Sequence, residues 1–136
     1  MPLENLVVVS GMPGVYRMVT NRGNGLIVED LDNGKKRFAP ARKHQFTPLE
    51  SIAIYTVMDS VPLDTVFQKM LAQTGDNPPV SAKASATEIN EYFTKILPDF
   101  DRGRVHVSDI KKVIKWFNFL SDRKLISLQD STDEEE

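Results

Sequence analysis

The chain has 136 residues, of which 40% are hydrophobic and 26% charged, a globular balance that excludes fibrous and disordered classes. It has no cysteine, which removes disulfide scaffolds, thiolate zinc sites and cysteine nucleophiles together. The net charge of −2 hides an asymmetry: residues 130–136 hold five acids and no base, so the other 14 acids face all 17 Lys and Arg, a net +3 over residues 1–129.

The longest apolar run, Leu6-Val7-Val8-Val9, is far short of the ~18 residues of a membrane span. Met1-Pro2-Leu3-Glu4-Asn5 lacks the basic start of a signal peptide. The expectation is a soluble, cytoplasmic protein with no membrane partner.

The first part of the chain reads as β. Leu6–Val9 is short and β-branched, and Gly11-Met12-Pro13-Gly14 after it is a turn. Residues 15–20 make a second strand, and Asn21-Arg22-Gly23-Asn24-Gly25 a second turn. Residues 26–31 follow, then Asp32-Asn33-Gly34, whose Asn-Gly pair predicts a type I′ hairpin turn. The return strand covers 35–39 and is limited by Pro40, which cannot donate to a ladder. Residues 51–56 alternate as a half-buried fifth strand. Five short strands spaced by turns predict a small barrel or strongly bent sheet over 1–58.

The remainder reads as helix. Leu63, Val66, Phe67, Met70 and Leu71 share one helical face, with Pro62 suited to the first turn and Gly75 to the stop. Residues 74–85 are small, polar and proline-bearing, the composition of a linker. Ser85-Ala86-Thr87-Glu88 predicts a capping box for a second helix, whose stripe is Ile89, Tyr92, Phe93, Ile96 and Leu97. Residues 104–107 look extended, and Ser108 is the predicted cap of a third helix with the stripe Ile110, Val113, Ile114, Phe117 and Leu120. Residues 122–136 read as an acidic, disordered tail.

Motifs that carry chemistry are scarce. The two histidines, His44 and His106, fall in different predicted regions with no carboxylate pattern around either. Asp99-Phe100-Asp101-Arg102-Gly103 resembles the start of a calcium loop, but counted from Asp99 the obligatory glycine position holds Arg104 and the bidentate glutamate position holds Ile110. No serine is placed beside a base, and no nucleophile elbow or phosphate loop occurs. The expectation is a protein that is not an enzyme and uses no metal or cofactor.

Two basic groups remain. Lys35, Lys36, Arg37, Arg42 and Lys43 cluster on the predicted barrel, interleaved with Phe38 and Phe46; Tyr16 and Tyr55 add further aromatics. Such a cluster suits a nucleic-acid surface, and equally a core with lysine-guarded edges. On the third helix Phe119 projects about 160° from the stripe, on the same side as Lys111, Lys112 and Lys115, with Trp116 on the flank. Burial against the barrel or against residues 125–128 accounts for Phe119, and so does a partner.

Residues 6–15, Leu-Val-Val-Val-Ser-Gly-Met-Pro-Gly-Val, together with residues 49–56 and 104–112, resemble an uncharacterised domain-of-unknown-function family of small Bacteroidetes proteins. The resemblance runs from about residue 3 to residue 121. It implies a β-rich N-terminal domain of SH3-like kind followed by a helical domain, and it supplies no catalytic residue, cofactor or partner.

These readings give an α+β protein: an SH3-like small barrel over 1–58, a three-helix region over 59–121, and the tail. The expected function is a non-catalytic protein-interaction module, binding an unknown protein or itself. The alternative is nucleic-acid association through the barrel's basic rim and the third helix.

Overall fold

The computed structural model describes residues 3–12 and 14–126. The chain is α+β and divides into two compact units, Met1–Ile52 and Ala53–Glu136.

The first unit holds β1 (Leu6–Val9), β2 (Tyr16–Asn21), β3 (Gly25–Asp30), β4 (Lys36–Pro40) and β5 (Phe46–Pro48). They form one antiparallel sheet in the order β4-β3-β2-β1-β5. The first four strands lie where alternation and turn residues predict them. The fifth does not. Phe46–Pro48, a three-residue piece with no legible alternation, pairs with β1 by setting Phe46 against Val9 and Pro48 against Val7. A 3₁₀ turn at Leu49–Ser51 then breaks the chain, and the residues expected to form the fifth strand enter the second unit.

Among the described residues no ladder joins β4 to β5, so the sheet is open and the closed SH3-like barrel is not seen. Two features oppose closure: Pro40 brings no N–H to the β4 edge, and β5 offers only three residues.

Alternation builds the core of this unit. Val7 and Val9 of β1, Tyr16 of β2, Leu26 and Val28 of β3 and Ala39 of β4 bury together, with Met12, Met18 and Phe46 half-covered against them. Gly11 and Gly14 sit at φ +79° and +78°, which supplies the turn after β1. The β3–β4 hairpin departs from the predicted type I′ turn. Its positive φ falls on Gly34 and not on Asn33, and the loop is organised by Asp30, whose carboxylate accepts from the Asp32 and Asn33 amides. An Asx-type cap replaces the two-residue turn.

The second unit opens with a hairpin, β6 (Ala53–Tyr55) and β7 (Ser60–Pro62), which runs directly into α1 (Leu63–Ala72). α2 (Ala86–Ile96) and α3 (Val107–Asp122) follow. The three predicted stripes are buried almost throughout: only Leu71 is half-exposed. Aromatic rings lock the packing. Phe67 of α1 meets Phe117 of α3 at 5.8 Å between centroids, and Phe93 of α2 meets Phe100 edge-on at 5.1 Å. Residues 74–85 are irregular chain with local hydrogen-bonded turns, and Gln73 reaches across to the Lys95 carbonyl at 3.0 Å.

The helix ends depart in detail from the sequence-based expectation. α1 ends at Ala72, before Gly75. Ser85 caps α2 as predicted, accepting from the Glu88 amide at 3.2 Å while its hydroxyl donates to the Glu88 carboxylate at 3.1 Å. α3 is capped two residues earlier than expected: its N-cap is His106 and not Ser108, and the His106 amide donates to the Asp109 carboxylate at 3.0 Å. The expected tail begins within ordered chain, because α3 reaches Asp122 and Ile126 is buried. The rest of that tail, 127–136, lies outside the described residues. Among the described residues no helix is long and apolar enough to cross a membrane.

Candidate interaction site

The strand order makes β4 an edge of the sheet. Its pairing with β3 fixes which peptide groups are free. The Asp30 amide donates to the Lys35 carbonyl and the Ala41 amide to the Asn24 carbonyl, both at 2.9 Å. Antiparallel pairs alternate between bonded and non-bonded, so Lys35, Arg37, Ala39 and Ala41 turn their peptide groups towards β3. The amides of Lys36 and Phe38 face away from the sheet. Pro40 ends this free edge, since it has no N–H and its carbonyl accepts from the Lys43 and His44 amides.

Side chains follow the same alternation. Lys36 and Phe38 share the face opposite the core, Lys36 beside Glu29 and Phe38 beside Ile27. Glu29 also lies 3.7 Å from Arg17 of β2, so one charged row crosses three strands. The next row is apolar: Phe38, 43% exposed, Ile27, and Val19 at the β2 irregularity, 41% exposed. Phe38 lies over Gly25, where an added Cβ would stand 2.8 Å from two of its ring carbons. A glycine across from an aromatic lets the ring lie down on the backbone. Beyond it Asn24, Phe38, Pro40, Ala41 and Arg42 line a hollow of about 400 Å³.

The predicted basic cluster is thereby divided. Lys35, Lys36 and Arg37 stand at the start of β4, and Arg42 and Lys43 in the turn beyond its end, all exposed. Among the described residues no ion pair involves the side chains of Lys36, Arg37, Arg42 or Lys43. His44 serves the fold: its Nδ1–H donates to the Ser10 carbonyl at 2.6 Å while the Gln45 amide donates to the Ser10 hydroxyl, tying the turn after β1 to β5. The predicted aromatics divide as well. Tyr16 is buried, Phe46 packs on the core, Tyr55 belongs to the second unit, and Phe38 alone of the four stands on the exposed β4 edge.

On α3 the outer face carries exposed Lys112 and Lys115, with Lys111, Trp116 and Phe119 half-buried. Phe119 is met by a neighbour at the end of its own helix. The Arg123 guanidinium lies 3.5 Å over its ring, and its Nη1 donates to the Phe119 carbonyl at 3.0 Å. The i, i+4 spacing of the two residues is the sequence signal for this contact.

The loop resembling a calcium site is closed from within the chain. The Asp101 carboxylate accepts from the Gly103 amide at 2.9 Å and from Arg104 Nε at 2.8 Å. The same guanidinium lies 4.2 Å over the Tyr55 ring and reaches the Thr56 carbonyl at 3.4 Å. The bond from Arg104, and after it the Gly103 amide, holds Asp101 below the usual carboxylate range. Residues 99–101 also join β6: the Asp101 amide donates to the Tyr55 carbonyl and the Val57 amide to the Asp99 carbonyl. The β6–β7 tip is left bare, with Val57 67% and Met58 90% exposed. Among the described residues no three His, Asp or Glu side chains gather as a metal site.

The sequence and the fold have known relatives. Residues 52–120, just over half of the chain, match the family described as Domain of unknown function (DUF6852). The chain belongs to that family. Residues 3–49 match a second model, Domain of unknown function (DUF5606), and the two matches divide the chain near the boundary between its compact units. A solution NMR structure from Bacteroides vulgatus, a Northeast Structural Genomics Consortium target, is 35% identical, covers 93% of this chain and 90% of its own, and superposes with a TM-score of 0.73. No curated protein matches. Both family descriptions record unknown function.

Proposed function

We propose that the protein is a non-catalytic protein-interaction module whose docking surface is the β4 edge. One observation carries this reading: a strand with outward-facing amides bears an exposed aromatic, and cations with no ion pair among the described residues, beside an apolar hollow. The sheet order is the one from which an SH3-like small barrel closes, and we read this unit as an open member of that class. The absence of cysteine suits a reducing, cytoplasmic setting. The non-catalytic reading is supported by His44 and Asp101, each already engaged in holding a turn.

Nucleic-acid association has less support, because stacking platforms need several exposed aromatics and Tyr16 and Phe46 belong to the core. Capture from native cell extract tests the proposal. A partner retained after nuclease treatment and at raised salt, and lost with Phe38→Asp, is the expected result. Retention that disappears with nuclease or falls steeply with salt assigns the surface to nucleic acid.

A further inference from the structure

We propose that the β4 edge receives an acidic, extended peptide segment of a partner protein as an added strand, with one apolar side chain of that segment seated in the Phe38 hollow. This rests on the interaction-module reading and names the chemistry of its partner.

Three observations converge on this ligand. The first is backbone geometry. Lys36 and Phe38 present their amides and carbonyls outward, which is the pattern an incoming strand bonds to, and Pro40 limits the added ladder to a few residues. The second is charge. Lys36 and Arg37 lie on the two faces of the edge, with Arg42 and Lys43 beyond its end, and among the described residues none of the four has an ion pair within the chain. A strand laid here sends alternate side chains to the two faces, so carboxylates on it meet Lys36 on one face and Arg37 on the other. The third is shape. The hollow of about 400 Å³ is walled by Phe38, Pro40 and Ala41 and rimmed by Arg42, which suits an aliphatic side chain flanked by acids.

The test uses the full chain, ¹⁵N-labelled, titrated with an N-acetylated octapeptide in which consecutive glutamates flank a central leucine on both sides, so that carboxylates reach both faces. Its lysine counterpart and an oligouridylate are titrated in parallel. The expected result is binding of the acidic peptide alone, with slowed exchange at the Lys36 and Phe38 amides and no change at Arg37 and Ala39, which already bond to β3. The double variant Lys36→Glu, Arg37→Glu changes only exposed side chains and weakens binding at least about tenfold. Binding indifferent to that charge reversal, or without protection at Lys36 and Phe38, overturns the proposal. So does equal binding of the lysine peptide, or oligouridylate binding in its place. A wild-type dimer that dissociates when the five acids of 130–136 are neutralised moves the site from a partner's segment to a second copy of this chain, and overturns it too. A captured partner that depends on Phe38 but docks through a non-acidic segment removes this inference and leaves the module reading standing.

Discussion

In the helical unit the arginines have partners. Arg102 lies 4.4 Å over Phe100, Arg104 lies over Tyr55 and bonds to Asp101, and Arg123 covers Phe119. The sheet unit differs: Arg17 meets Glu29, while Lys36, Arg37, Arg42 and Lys43 stand along or beyond an open edge with no ion pair among the described residues. The cores differ in the same sense. The helices interlock through Phe67, Phe93, Phe100 and Phe117, each almost fully buried, whereas the sheet packs mainly valine, leucine and alanine with Tyr16. Charge engaged within the fold stabilises it; charge left outside is available for recognition. The contrast in arginine engagement and core composition supports our proposal that β4 is the docking edge.

The largest effect that can break this contrast lies in the aromatic core. Phe93→Ala removes a buried ring and its edge contact with Phe100, and is expected to cost roughly 3–5 kcal/mol in a denaturant melt. A loss below about 1 kcal/mol shows that the helices are not held by these rings. Next comes Gly25→Ala. The new Cβ points at the Ala39 carbonyl oxygen and the Phe38 ring, so the β3 and β4 backbones must part and Phe38 must lift. A loss of about 1–3 kcal/mol is expected, with shifted resonances at Phe38.

Acid unfolding sharpens the charge side of the comparison. Asp101 has a folded pKa below its unfolded value, so its contribution is present above the unfolded pKa and is lost as pH falls through the lowered one. Asp101→Asn should therefore flatten the fall in melting temperature below about pH 4. Identical acid profiles for wild type and Asp101→Asn would sink the argument. The smallest effect is at Tyr92, whose hydroxyl is buried without a hydrogen-bond partner among the described residues and whose pKa burial pushes above the usual phenol range. Tyr92→Phe is expected to leave stability unchanged or raise it by up to about 1 kcal/mol. It should also delay alkaline unfolding, because a raised pKa gives stability that is lost as pH climbs above the phenol's unfolded value of about 10.

Periodicity made most of this fold legible. The stripes of Ile89, Phe93 and Ile96 and of Ile110, Ile114 and Phe117 are buried because one apolar face on a 3.6-residue repeat has a single way to be covered. What escaped was non-local or too short to carry a period. Phe46–Pro48 becomes a strand only because β1 lies beside it, and Ser60–Pro62 only because Ala53–Tyr55 does. The basic residues of the candidate site were visible as a cluster. Its geometry was not, since the division into two ends of β4, the ring over Gly25 and the outward amides of Lys36 and Phe38 all follow from pairing register.

Arg104 carries a consequence for how the second unit responds to its surroundings. The loop between α2 and α3 closes around a cation that is covalently part of the chain, gripped by the Asp101 carboxylate and set beside the Tyr55 ring and the Thr56 carbonyl. A tethered ion has no dissociation constant. Its local concentration cannot be diluted, chelated or pulsed by a cell, so the grip on this loop does not follow the level of any free ion.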